Sequence, residues 1–322
     1  MISKSDIEQA YLRIRDDIHK TPLLSSPRLS AVSGANVYLK MEHLQQTGSF
    51  KIRGVLNKFN TIDPSEFQKP FVAASTGNHA MAFGHSMNKN GCEGILFLPE
   101  RTNHAKIEAL EQYQMEKIFH GMNSMETEAK ATQYAKEIGG VLIHPYNDVE
   151  IIKGQGTIGL EIEEQLPEVD IVLVPVGGGG LISGIASYYA NDDVNIVGCQ
   201  PINASEMYQS IQKGNIVPPS KSTTISDATA GGIEANAVTF DICKRLISDF
   251  ELVSEENIEK ALAFMIAHHQ TIIEPASALT ISPLLVSKKY VGKNVVLVLT
   301  GKKIDPDLLA NIMNKSSRIQ NP

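Results

Sequence analysis

The sequence has no tryptophan, three cysteines in 322 residues and no excess of positive charge. Cys92, Cys199 and Cys243 are odd in number, far apart and never spaced as a CxxC pair. That spacing argues against a disulfide framework or a zinc knuckle and reads as reduced, mostly buried thiols. Lys and Arg number 29 against 36 Asp and Glu, a net charge of −7 with no long run of one sign. A protein that grips nucleic acid through its phosphates usually shows a basic face, and none is legible here. No stretch approaches the roughly 20 apolar residues of a bilayer span, and residues 1–20 lack the apolar core of a signal peptide. The expectation is a soluble, cytoplasmic protein with no nucleic-acid or membrane partner. At 42% hydrophobic and 20% charged, with 24 glycines, the chain is neither disordered nor fibrous. Its length suits two domains or one large one.

What is present is an alternation of short apolar runs and amphipathic stretches. Residues 5–19 carry Ile7, Tyr11, Ile14 and Ile18 at helical spacing, with Ser5 and Glu8 placed as a capping box, and Thr21-Pro22 ends the helix. Strands are expected at 36–41, 71–75, 94–99, 115–121, 140–145, 171–176, 195–200 and 294–300. Helices are expected at 77–89, 103–113, 124–139, 152–166, 181–190 and 257–273, the last led by Ser254, Glu255 and Glu256. Strands without polar alternation, separated by helices, indicate parallel sheets covered on both faces. The 204–240 stretch, rich in Ser, Thr, Pro and Gly, is the longest without periodicity and reads as loops near a site.

Four segments sit where strands end, the place where open α/β sheets bind ligands. Val174 to Leu181 runs from a strand through Gly177, Gly178, Gly179 and Gly180 into a helix. Such glycines suit either a backbone cradle for an anion or a tight, closely packed turn. A dinucleotide site would place an acid at the end of the next strand, but Gln200 stands there, and no Walker lysine is present, so a single phosphate fits better. Thr47 to Gly54 places Lys51 between Phe50 and Ile52. It is either a solvated lysine or a partly desolvated amine with nucleophilic character. Ser75-Thr76-Gly77-Asn78-His79 follows a buried strand and suits a carboxylate or an oxyanion, or caps the next helix through Thr76 or Asn78. Leu299-Thr300-Gly301 ends a late strand in a hydroxyl.

A one-phosphate cradle, an enclosed lysine and a carboxylate loop together suggest a phosphorylated aldehyde held by an amine. At this point GSFKIRG, STGNHA, GGGGL and the late LTG resemble the fold-type II pyridoxal-phosphate enzymes, most nearly the threonine/serine dehydratase and serine racemase group. The resemblance runs from Thr21 to Thr300. It implies a tryptophan-synthase-β-like α/β fold of two three-layer domains with mostly parallel sheets. A larger domain would comprise residues 1–52 and 149–322, and a smaller inserted one residues 53–148. It implies pyridoxal 5'-phosphate as cofactor, with Lys51 as Schiff-base lysine and α-proton base. Phe50 would pack on the ring, Asn78 would meet the ring hydroxyl, Gly177 to Leu181 would hold the phosphate, and Thr300 would face the pyridine nitrogen. Ser75, Thr76 and His79 would hold the carboxylate of a small amino-acid substrate, with Thr76 in the catalytic position opposite the lysine. Asn147 and Gln155-Gly156-Thr157 would line the same site, Gln155 toward the substrate. A hydroxyl at Thr300 would leave the ring a weaker electron sink than a carboxylate would. The implied reaction is loss of water from L-serine or L-threonine, giving a 2-oxo acid and ammonia. Racemisation and dehydration of another β-hydroxy amino acid such as threo-3-hydroxyaspartate are the alternatives, and a non-catalytic sensor on the same scaffold is a third.

The chain also departs from that family's pattern. Racemases that it resembles carry serine at the position of Thr76. Cysteine synthases carry a loop resembling T-S-G-N-T-G here, and His79 argues against them. The family's Mg²⁺ or Ca²⁺ site falls on Gln200, Ala204 and Glu206, and Gln200 replaces an expected acid, which weakens the site. Lys302 and Lys303 replace a small residue and an asparagine after LTG. No regulatory domain of the biosynthetic threonine-deaminase kind is legible, so isoleucine feedback is not expected. A homodimer is expected by family analogy.

Overall fold

The computed structural model describes residues 2–319. The extreme bounds of the larger expected domain, residue 1 and residues 320–322, lie outside the described residues. The chain opens with helix α1 (Lys4–Ile14). Its cap is Ser3, whose hydroxyl accepts from Asp6 N while Asp6 reaches back, so the capping box forms two residues earlier than Ser5 and Glu8 suggest. Both serines have an acid three residues on, and spacing alone does not choose between them.

Two sheets organise the rest of the chain. The larger is built from β1 (Leu23–Ser25), β2 (Asn36–Lys40), β7 (Ile171–Pro175), β8 (Asn195–Pro201), β9 (Asp249–Val253) and β10 (Asn294–Val298), in the order β1-β2-β10-β7-β8-β9. Only β1 is antiparallel. The smaller, fully parallel sheet has the order β5-β4-β3-β6, from β3 (Phe71–Ala74), β4 (Gly94–Leu98), β5 (Met115–Phe119) and β6 (Val141–Leu142). β3, β4, β7 and the inner part of β10 are buried throughout, which is why their sequences run apolar without alternation. Each sheet is covered on both faces by apolar clusters, the three-layer arrangement expected.

Some expected elements differ. The helix over 103–113 shortens to α5 (His104–Glu108). Beyond it Leu110, Glu111 and Tyr113 donate to carbonyls three residues back, so the apolar i, i+3 spacing there belongs to tight turns. The strand over 140–145 keeps two residues. The aperiodic 204–240 stretch contains α9 (Glu206–Lys213) and leads into α10 (Val238–Leu246). β1 and β9 carry no strand signal legible in the sequence.

The sheets are joined through α3 (Lys51–Phe59) and α7 (Val149–Gln165), which lie close because glycines line their crossing. A Cβ on Gly54 would fall 2.3 Å from the Gln155 side chain, and one on Gly154 would fall 2.6 Å from the Arg53 carbonyl oxygen. At this crossing sits a fully buried charge cluster. Arg53 Nε and Nη2 donate to Glu42 at 2.7 and 2.8 Å, and Nη1 and Nη2 donate to Glu161 at 2.7 and 2.8 Å. Lys40 Nζ donates to Glu161 at 2.6 Å and to Thr21 O at 2.8 Å. Two cations meet two carboxylates, so the cluster is neutral. The two carboxylates hold the Arg53 guanidinium charged despite its burial. Removing one member leaves a dry charge unmatched, which typically costs about 3–5 kcal/mol. Glu161→Ala is therefore expected to destabilise the protein by about that amount in urea unfolding, because it strands both Arg53 and Lys40. A loss under about 1 kcal/mol, the range of an exposed pair, would contradict this account.

Candidate active site

Strands β3, β7 and β10 end at one cleft of about 700 Å³. Phe50, Lys51, Ser75, Thr76, Asn78, His79, the Gly177–Leu181 loop and Thr300 all line it. Lys51 is the first residue of α3, and the turn before it is pinned to the end of β10. Phe50 N donates to Thr300 O at 3.0 Å, and Lys302 N donates to Gly48 O at 3.1 Å. The Lys51 ammonium donates to Pro145 O at 2.7 Å and lies 5.3 Å from the Phe50 ring centroid. Burial lowers its pKa to about 8, against the opposing pull of the Glu128 and Glu274 carboxylates. The enclosed-amine reading of Lys51 is the one its surroundings match.

Two helix N-termini face the same space without side-chain caps. α4 (Asn78–Asn90) has Gly77 at its N-cap, and α8 (Gly180–Tyr188) has Gly179 there at φ +88°. Neither Thr76 nor Asn78 caps α4, so the first N–H groups of each helix are left to a ligand. The α8 end is a tight cradle. A Cβ on Gly178 would fall 2.6 Å from the Tyr146 ring, and one on Gly180 would fall 2.9 Å from the Tyr146 Cβ. At the α4 end, His79 Nε2 donates to Ile143 O at 2.8 Å, and burial drives its pKa down to about 3, so the ring is neutral. Its Nδ1 and the Asn78 Oδ1 are buried without a partner. An amine of lowered pKa, an uncapped helix end built of glycine and orphaned polar atoms in one cleft fit a phosphorylated aldehyde cofactor.

Other expected residues lie elsewhere. Gln155 does not line the cleft. It is buried between α3 and α7, where its Oε1 accepts from Gly54 N at 3.3 Å, because the glycine crossing draws it inward. Thr157 accepts from Arg53 and Gly156 packs on α8, so that whole triplet serves helix packing. Asn147 bridges Glu234 and Val238 N instead of reaching the cleft.

The cation donors do not fit a divalent ion. The Gln200 amide nitrogen donates to Val176 O at 3.2 Å and to Ala204 O at 3.4 Å, turning N–H groups toward the carbonyl that a cation would need. Gln200 Oε1 accepts from Tyr208 N, and Glu206 accepts from Ser220 N. A second cluster, Glu128, His144 and Glu234, has its ligand atoms within 4.8 Å of one another. His144 is fully engaged, however, with Nε2 on Glu234 at 2.9 Å and Nδ1 accepting from Tyr146 N and Asn147 N. No nitrogen lone pair is left for a metal.

Lys303, marked in the sequence by its place after LTG, lines the cleft with its pKa lowered to about 8 by burial. Charged residues of the cleft wall that carry no such mark include Glu128, pushed up to about 7 by burial, and Asp227, which pairs with Lys106. Another, Glu274, receives bonds from Asn78 and Thr300. Its one faint signal is to be a lone acid between Ile273 and Pro275 at the head of an apolar helix.

Residues 14–301 match the family model described as pyridoxal-phosphate dependent enzyme. The chain belongs to that family. It is 36% identical over 317 residues to an L-threonine ammonia-lyase of Thermotoga maritima, covering 98% of this chain and 79% of that one. It is likewise 36% identical to a catabolic L-threonine dehydratase of Staphylococcus aureus, covering 99% and 94%. The structure of maize serine racemase superposes with a TM-score of 0.90 at 29% identity, covering 99% of each chain. The pyridoxal-phosphate dependence expected from the motifs is that of the matched family.

Two outcomes are expected of the protein itself. Because the neutral amine is the nucleophile, capture of added pyridoxal phosphate by the apoprotein should quicken with pH. With a lysine pKa near 8, the rise in its visible absorbance should be about tenfold faster at pH 9 than at pH 7. A rise of about a hundredfold, which an unshifted lysine near 10.5 would give, would contradict the lowered pKa. Dialysis against a chelator should leave cofactor content and melting temperature unchanged, whereas a loss reversed by Mg²⁺ or Ca²⁺ would contradict the role given to Gln200.

Proposed function

We propose that this enzyme is an ammonia-lyase that removes water from L-serine or L-threonine and releases a 2-oxo acid and ammonia. The observation that carries the reading is the placement of the Lys51 amine between the open N-termini of α4 and α8, in a family whose relatives here are named threonine ammonia-lyase and dehydratase. Bound pyridoxal phosphate supplies an electron-withdrawing ring that acidifies the α C–H of an attached amino acid.

Within the proposal, the N–H groups of Gly177 to Leu181 and the start of α8 take the phosphate, and Tyr146 behind them keeps the loop narrow. Phe50 packs beside the ring, and Asn78 and Thr300 meet its polar edge. The first N–H groups of α4, with Ser75 and Thr76, hold the substrate carboxylate. His79, neutral and bonded to Ile143 O, shapes this loop and adds no charge to it. Lys51, as a free amine, would be a base of suitable strength for the α proton, since a pKa near 8 lets it accept and return a proton at neutral pH. Residues 53–148 are proposed as the smaller body that carries the carboxylate loop. A homodimer and a cytoplasmic location are part of the same proposal and rest on the resemblance alone.

One observation favours a second reading. The Thr76 hydroxyl lies on the cleft wall, and the maize enzyme is named a racemase. A proton donor on the face opposite the lysine is what inversion at Cα requires. Incubation with L-serine, L-threonine and L-threo-3-hydroxyaspartate, with oxo acid and D-amino acid measured together, separates the readings. Oxo acid from serine or threonine is expected, with turnover and visible colour both lost in Lys51→Ala. D-serine without pyruvate would sink the lyase proposal in favour of the racemase.

A further inference from the structure

Two carboxyls meet at the wall of the cleft, one engaged and one not. Glu128, on α6 (Ser124–Glu137), lines the cleft together with Lys51, Ser75 and Thr76. A separate cavity of about 10 Å³ behind the hydroxyl loop is also walled by Glu128, Ser75 and Thr76, so this acid borders the proposed substrate-carboxylate site. Its carboxyl lies within 4.8 Å of ligand atoms of His144 and Glu234. Those two are already partnered. Glu234 accepts from His144 Nε2 at 2.9 Å and from Asn147 Nδ2 at 3.0 Å, and His144 Nδ1 accepts from the backbone N–H groups of Tyr146 and Asn147. The His144 ring therefore offers Glu128 neither a proton nor a lone pair. Among the described residues the Glu128 carboxyl has no hydrogen bond or ion pair, and what it can still meet is the content of the cleft.

Neighbouring carboxyls in unlike surroundings divide into an ionised one and a protonated one. The bond from His144 holds Glu234 below the usual carboxylate range. Burial pushes Glu128 up to about 7, with Glu234 adding to the rise and His144 and Lys51 opposing it. Tyr146, the other titratable side chain beside it, is itself raised by burial and keeps its proton. We propose that Glu128 is a catalytic acid that gives its proton to the departing β-hydroxyl of the substrate. This rests on the ammonia-lyase reading above. A substrate held by its carboxylate at the start of α4 and by its amine at Lys51 turns its side chain to the remaining wall, where Glu128 stands. Hydroxide is a poor leaving group and water a good one. The Cα proton passes to Lys51, and the electron pair of that bond forms the Cα–Cβ double bond. The Cβ–O pair leaves on oxygen, which takes the Glu128 proton and departs as water. Solvent then removes a proton from Lys51 and returns one to Glu128, so the enzyme ends as it began.

A leaving group that needs no proton separates this role from a structural one. L-Serine loses water and β-chloro-L-alanine loses chloride, and both end as pyruvate and ammonia, so initial rates of the holoenzyme are read by one assay. In Glu128→Gln, kcat/KM for L-serine is expected to fall at least about a hundredfold, the contribution usual for a general acid, while that for β-chloro-L-alanine changes by less than about threefold. The wild type supplies a second measurement that needs no variant to fold. Its ratio of kcat/KM for L-serine to that for β-chloro-L-alanine is expected to hold steady below about pH 6 and to fall about tenfold per unit above about pH 8, because the protonated acid serves only the hydroxyl. Equal effects of Glu128→Gln on both substrates, including none, or a ratio that stays flat with pH, overturns the inference. A wild type that makes oxo acid from neither L-serine nor L-threonine overturns the ammonia-lyase reading itself and is recognised before any ratio is formed.

Discussion

The placement of the reactive amine depends on an arginine that never touches the cleft. Arg53 lies two residues beyond Lys51 and is buried completely. A guanidinium in a dry interior demands anionic partners in fixed positions, and Glu42 and Glu161 bring theirs from a turn after β2 and from α7. Lys40 supplies the charge that the second carboxylate still lacks. Such clusters are weak sources of net stability but strong sources of register, because every alternative packing leaves a charge unmatched. The first turn of α3 is thus locked to both its neighbours, and Lys51 inherits its position from that lock.

Around this fixed amine the chain arranges two open helix ends. Glycines at the N-caps of α4 and α8 leave backbone N–H groups free where a serine or aspartate would have satisfied them. Those dipoles receive anions without the burial penalty of lysine or arginine side chains, and they leave the enclosed ammonium of Lys51 free to titrate near neutrality. Where the family resemblance places a cation site, this chain has an amide. Gln200 ties Val176, just before the glycine loop, to Ala204 through two N–H bonds, doing with hydrogen bonds what a cation would do with its charge.

Much of this is legible in the sequence alone. The apolar runs become buried parallel strands because a strand covered on both faces has no polar side to show. The glycine loop, the lysine and the hydroxyl loop are readable because each breaks a local rule at a strand end. Three kinds of feature are not readable. β9, with the sequence DFELV, alternates weakly because it is an edge strand that needs no apolar run. Gln155 looks like a site residue because its motif neighbours are polar, yet its position is set by a helix crossing that only three-dimensional packing reveals. Glu274 escapes notice because its partners, Asn78 and Thr300, lie 196 and 26 residues away.

The order of strands in the larger sheet has a consequence for how the protein is made. β10, the last strand among the described residues, lies between β2 and β7 within its sheet. During synthesis β2 and β7 have no strand to bridge them until residue 298 has left the ribosome, so the sheet closes from the middle and at the end. The segment that completes it also carries Thr300, whose carbonyl anchors Phe50 beside Lys51. The enclosure that lowers the Lys51 pKa therefore depends on a segment far along the chain from the lysine itself.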